Sequence, residues 1–175
     1  MNALILPGLG NSGPSHWQSC WEKEIVGARR VELGDWDAPD PAVWIARLDD
    51  AVSNAGPDAV LIAHSLSCSL VAHWARRPRP IRAAMLVAPA DVDSRDRTPE
   101  PAWTFAPMPL ERLPFPALLV SSSNDPYVSI DRAKTFAGAW GARFVDIGDK
   151  GHINGDSELG GWAEGKALLD DLLSL

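Results

Sequence analysis

Ala59-Val60-Leu61-Ile62-Ala63 is an unbroken apolar run that ends on His64-Ser65-Leu66-Ser67, where a helical pattern begins. A strand with no polar face has to be buried on both sides, as inside a parallel sheet covered by helices. Ala3-Leu4-Ile5-Leu6 repeats the pattern, and further strands are expected at 29–33, 81–88, 117–122 and 143–147. Amphipathic stretches lie between them. Residues 14–27 carry Pro14 in a first turn, and 41–54 place Trp44, Leu48 and Val52 four apart on one helical face. A helix from Ser65 to about Arg77 is stopped by Pro78 and Pro80, and two more are expected at 129–140 and 161–173. Strands alternating with helices imply βαβ crossovers and a parallel sheet. The expectation is an α/β fold with roughly six mostly parallel strands and helices on both faces.

The stretch from Ala90 to Pro116 breaks this rhythm. It holds Pro99, Pro101, Pro107, Pro109, Pro114 and Pro116, with Trp103, Phe105 and Met108 between them. A long irregular stretch inside a compact domain reads as a lid or binding loop, or as a proline-stiffened crossover. Its apolar side chains, together with His16, are the candidates for a substrate pocket.

The 175 residues suit one domain, 1–175, with a core of ordinary size. Lys and Arg number 16 against 23 Asp and Glu, a formal charge of −7, which disfavours nucleic acid as a partner. No apolar stretch approaches the ~20 residues that span a bilayer, so no membrane association is expected. Met1-Asn2-Ala3 has no basic region and the chain reaches Pro7-Gly8 early, unlike a secretory signal. A cytoplasmic location is the resulting expectation. Cys20 and Cys68 form no CxxC or Cys/His cluster and read as buried thiols; no metal site and no cofactor are expected.

The sharpest local signal is Ala63-His64-Ser65-Leu66-Ser67, at the corner between strand and helix. A serine there is held in a tight turn with its hydroxyl projecting from the sheet edge, usually within G-x-S-x-G. Ala63 and Ser67 stand where the glycines would be, and both are small. The bland alternative is that Ser65 only caps the helix. A serine nucleophile needs a base. His64 adjoins Ser65 and is expected on the other side of the turn. His73 lies in the following helix, and His16 in the first helix, able to line a cleft. His152, in Gly151-His152-Ile153-Asn154 after the last strand, shares the carboxyl edge of the sheet with Ser65. Asp125, after strand 117–122, is the expected acid, with Asp91 and Asp93 as rivals. The order Ser65, Asp125, His152 is that of α/β-hydrolases. The backbone N–H groups of Leu66 and Leu9 are the candidate donors to a developing oxyanion.

Gly8-Leu9-Gly10-Asn11-Ser12-Gly13 is also literally G-x-G-x-x-G, after a strand and before a helix, with Glu32 or Asp35 near the end of the second strand. That is the dinucleotide-binding fingerprint, and the main rival from the same loop. A binding protein with an idle site on the same fold is the rival from another class.

With these residues placed, the sequence resembles the small α/β-hydrolases of the retinoblastoma-binding protein 9 and YdeN type. The matching features are Leu6-Pro7-Gly8 through Ser15-His16-Trp17, the corner at His64-Ser65-Leu66, Ser122-Ser123-Asn124-Asp125-Pro126-Tyr127-Val128, Trp140-Gly141-Ala142, and Gly151-His152-Ile153-Asn154. The resemblance implies a single-domain serine hydrolase with the triad Ser65, Asp125, His152 and a minimal lid, and no protein partner transfers with it. The resulting expectation is a cofactor-free enzyme acting on a small ester or amide.

Overall fold

The computed structural model describes residues 1–77 and 79–174. Six strands form one parallel sheet in the order β2-β1-β3-β4-β5-β6: β1 (Asn2–Leu6), β2 (Ala28–Arg30), β3 (Ala59–His64), β4 (Ala83–Val87), β5 (Ala117–Ser121) and β6 (Arg143–Asp146). The five α-helices are α1 (Trp17–Glu24), α2 (Pro41–Ala55), α3 (Leu66–Trp74), α4 (Ile130–Trp140) and α5 (Ala163–Leu173).

Period-2 alternation divides each central strand between two cores. Leu4, Leu6, Leu61, Ala63, Leu86 and Leu119 face one side, where α2, α3 and α4 bring Trp44, Leu48, Val71, Trp74, Phe136 and Trp140. Ala3, Ile5, Val60, Ile62, Met85 and Val120 face the other, against Trp17 and Trp21 of α1 and Leu169 and Leu172 of α5. Every residue of β3 and β4 is buried, which is why these strands read as continuous apolar runs rather than as alternating ones.

The helix ends follow local chemistry. The Asp40 carboxylate caps α2 by accepting from Ala42 and Val43 N–H, with Pro41 in the first turn. Helix α1 starts three residues later than expected. His16 is its extended N-cap, not part of the helix, and His16 Nδ1 accepts the Gln18 N–H. Helix α3 ends at Trp74; Pro78, expected to stop it, lies outside the described residues.

The 90–116 segment is largely packed down. A 3₁₀ turn at Glu100–Phe105 interrupts it, and Phe105, Met108, Leu113 and Phe115 join the α2/α3/α4 core. Both cysteines are free thiols, Cys68 buried and Cys20 partly so. Burial pushes the Cys68 thiol pKa far up.

Candidate active site

The carboxyl ends of β1, β3, β4, β5 and β6 carry the loops that build the site, as expected of an open parallel sheet. Ser65 sits between β3 and α3 with φ 56° and ψ −120°, in the left-handed region that a residue with a Cβ seldom adopts. The Ser65 N–H donates to Val87 O at 2.9 Å, and Ser65 O accepts from Cys68 N–H at 3.0 Å, so both sides of the turn are pinned. The side chain makes no capping bond to α3, which removes the simple N-cap role. The hydroxyl donates instead to His152 Nε2 at 2.7 Å.

His152 follows β6 and is 8% exposed. Its Nδ1 lies 2.9 Å and 3.0 Å from the two carboxylate oxygens of Asp125, whose side chain is shut off from solvent. Asp125 Oδ1 also accepts the Tyr127 N–H, which fixes the carboxylate's rotation. In this arrangement Nδ1 carries a proton toward Asp125 and Nε2 is free to accept one from Ser65. The other candidate acids are committed elsewhere. Asp91 holds Arg132 through two bonds of 2.7 Å and 2.9 Å, and Asp93 holds the same guanidinium at 3.0 Å.

The departures from glycine at the turn have reasons. Ala63 is fully buried in the core, and the Ser67 hydroxyl donates to Pro7 O, tying the start of α3 to the loop after β1. Close approach is met on the opposite loop: a Cβ on Gly8 would reach within 2.8 Å of Ser65 Cβ and 3.3 Å of Leu66 N. This contact sets Leu9 beside the start of α3. Leu66 is the first residue of α3, so its N–H has no acceptor within the helix. The Leu9 N–H donates to no backbone acceptor among the described residues. Both residues line the cavity above Ser65.

That cavity is about 270 Å³ and opens onto Ser65 and His152. His16 lines it, but Trp103, Phe105 and Met108 do not. Phe105 packs on Trp44 in the core and its carbonyl accepts from the His73 ring at 2.7 Å. Met108 is buried in the same core, and the Trp103 indole N–H donates to Thr98 O. The 90–116 segment contributes Ala90, Thr98, Pro99 and Ala102 to the cavity instead. Local apolar composition could not separate side chains turned to the core from those turned to the cleft.

Several residues near the site have contacts that the sequence did not specify. Gln18, fully buried, donates to Leu6 O at the end of β1 and to Ile62 O within β3, and accepts from the Ser12 hydroxyl at 2.7 Å. Asn124 Oδ1 accepts the Gly151 N–H at 2.7 Å, joining the Asp125 loop to the His152 loop. The Tyr127 ring meets the His152 ring edge-on, centroids 4.5 Å apart. The His64 ring lies beside His152, and its Nε2–H donates to the His152 backbone carbonyl at 2.9 Å. Burial, aided by the neighbouring His152 and His16, holds the His64 pKa well below 6.5.

Comparison with known proteins follows this geometry. A family model described as Serine hydrolase matches residues 3–171. The chain belongs to the serine hydrolase family. Among solved structures it is similar to one described as a YdeN-like hydrolase from Pectobacterium atrosepticum, with 30% identity and a TM-score of 0.86, covering 99% of this chain and 90% of that one. The ydeN gene product of B. subtilis is 16% identical, with a TM-score of 0.80 and coverage of 99% and 98%. A hydrolase of the α/β superfamily from Xanthomonas campestris is 20% identical, with a TM-score of 0.70. No curated protein matches the sequence. This is a small α/β serine hydrolase of the YdeN type, as the sequence motifs implied.

The loop after β1 also departs from the packing of the dinucleotide fingerprint. In that fingerprint the third glycine permits close helix–strand packing. Here a Cβ on Gly13 would meet nothing within 4 Å, and α1 begins four residues later with its first turn capped by the His16 ring. Gly8 is the residue of this loop that lies against Ser65. Among the described residues no helix is long and apolar enough to cross a membrane, and no three His, Cys, Asp or Glu side chains converge as metal ligands.

Proposed function

We propose that this serine hydrolase cleaves a small ester or amide through Ser65, His152 and Asp125, by way of an acyl-enzyme. The observation that carries the reading is the continuous chain of contacts Ser65 Oγ to His152 Nε2 and His152 Nδ1 to Asp125. His152 takes the Ser65 proton as Oγ attacks the acyl carbon, forming a tetrahedral oxyanion. Asp125 holds the ring in the tautomer that can accept and stabilises the imidazolium that forms. The Leu66 and Leu9 N–H groups receive the oxyanion. His152 then returns its proton to the leaving alcohol or amine. Water, activated by the same ring, attacks the acyl-enzyme and releases the acid.

Every step uses side chains and amides of this chain, and no cofactor enters. The substrate is a small molecule, and the reaction is placed in the cytoplasm.

Reaction with a fluorophosphonate followed by peptide mass spectrometry tests the nucleophile. The expected adduct is on Ser65, and Ser65→Ala should lose both the adduct and at least about 10³-fold in kcat. A folded Ser65→Ala protein that still hydrolyses esters at the wild-type rate would end this mechanism, whereas a wild type that takes no label and hydrolyses no ester would mark an idle site on a hydrolase fold.

A further inference from the structure

One residue lining the cavity carries a buried ring nitrogen that has no partner among the described residues and is not used by the chemistry above. His16 is 5% exposed and lines the cavity with Ser65 and His152. Its Nδ1 accepts the Gln18 N–H at 3.1 Å, so the neutral ring carries its proton on Nε2. Nε2 is buried, on the ring edge away from the helix backbone, and has no hydrogen-bond partner among the described residues. Its neighbour His64 has already committed Nε2 to the His152 carbonyl. Burial, with repulsion from His152 and Arg30, lowers the His16 pKa to about 4, so the ring is neutral at pH 7. A buried N–H without an acceptor is costly, and such groups in native proteins have a water, a ligand or a chemical role to account for them.

The rest of the lining limits what the acceptor can be. It includes Asn11, Ser15, Thr98 and Asn154 but no Asp, Glu, Lys or Arg. A charged substrate group would be desolvated there without a counter-charge, which one neutral N–H does not offset. An ether, hydroxyl or carbonyl oxygen fits without that cost.

We propose that His16 is a specificity-determining residue whose Nε2–H donates a hydrogen bond to an uncharged oxygen of the substrate near the scissile bond. The substrate class is then a neutral, oxygen-bearing small ester or amide. This inference rests on the reading of Ser65 as nucleophile. A site built to bond a substrate oxygen discriminates against the analogue with methylene in its place, because the buried donor is left unpaired.

Two ester pairs that exchange oxygen for methylene test it. Methoxyacetate against butyrate p-nitrophenyl esters place the oxygen in the acyl group. 2-Methoxyethyl against n-butyl acetate place it in the leaving group. Rates are corrected by the hydroxide-catalysed rate of each ester, and the readout is the ratio of kcat/KM within a pair. One pair should favour the oxygen-bearing member by about tenfold, the size of one good neutral hydrogen bond. His16→Asn keeps a helix-capping side chain and should bring that ratio close to one. His16→Ser serves the same purpose should the first variant fail to fold.

Ring-¹⁵N-histidine-labelled wild type asks the question without any substitution. The His16 Nε2–H resonance should move downfield in the methoxymethyl- or 2-methoxyethyl-bearing phosphonate adduct relative to its alkyl counterpart. Esters carrying a free carboxylate or ammonium group should be the poorest substrates.

A wild type that takes the fluorophosphonate label yet shows no preference in either pair overturns the proposal. So does a preference that survives the His16 substitution, an Nε2–H resonance that is the same in the oxygenated and alkyl adducts, or a preference for the charged esters. Absence of the label overturns the nucleophile itself, and the proposal with it, and is thus a distinct result.

Discussion

Gly8 and Ser65 approach so closely that a Cβ on Gly8 would sit 2.8 Å from Ser65 Cβ, with His64 O at 3.1 Å. Neither neighbour can give way cheaply. Ser65 is held at positive φ by backbone bonds on both sides, and His64 O belongs to the strand end. Gly8→Ala should therefore displace the turn. Overpacking of this kind costs about 1–3 kcal/mol. A shift of even about 1 Å at a nucleophile costs on the order of 10²-fold in rate. The expected result is a folded protein with a lowered Tm and a kcat reduced far more than its stability would suggest. Wild-type kcat in Gly8→Ala would show that the turn does not need this contact.

The acid can be separated from its rivals. Asp125→Asn should lower kcat by about 10⁴-fold, since an amide favours the wrong histidine tautomer. Asp91→Asn should leave kcat within a few-fold while weakening the bidentate Arg132 contact, at a cost of about 1–2 kcal/mol. Steady-state kinetics and urea unfolding of the two variants should thus show opposite patterns.

Asn124 should act through His152. Its Oδ1 accepts from the Gly151 N–H, one residue before His152, and from the Ser122 hydroxyl at 2.9 Å. Asn124→Ala removes that acceptor and should lower kcat by about tenfold, the order of one lost positioning bond. Asn124→Asp keeps an oxygen in place and should recover most of the rate. Equal loss in both variants would point to the amide nitrogen.

Acid should destabilise the fold through its buried imidazoles. His16 and His64 are neutral in the folded protein at pH values where the unfolded chain protonates them, because both folded pKa values lie below 6.5. The unfolded state binds more protons in that window, so stability is complete above pH 6.5 and falls as pH falls below it. For His16 the loss continues to about pH 4 and amounts to at most about 3 kcal/mol. Urea unfolding between pH 7 and 4.5 should show this slope, and His16→Asn should flatten it.

The sheet was legible in the sequence because burial on both faces leaves a strand no polar positions. β1 and β3 were expected to within a residue at each end from apolar runs alone. Ser65, Asp125 and His152 were legible for a related reason. Each follows a strand, and in a parallel sheet all carboxyl ends share one edge, so chain order already brings them to the same side.

What sequence left open depends on orientation, which is set by contacts between segments far apart in the chain. A position after a strand does not by itself separate Asp125 from Asp91; what commits Asp91 elsewhere is Arg132 on α4, which engages it across 41 positions. Phe105 and Thr98 lie in the same proline-rich stretch, yet one is packed on Trp44 and the other borders the cavity. Gln18 gave no hint that its amide would bridge Leu6 and Ile62. The pattern of apolar residues determined where the strands and the reactive groups lie along the chain. Only the packed structure decided which side chains turn inward, because that choice minimises unpaired polar groups and empty volume over the whole molecule at once.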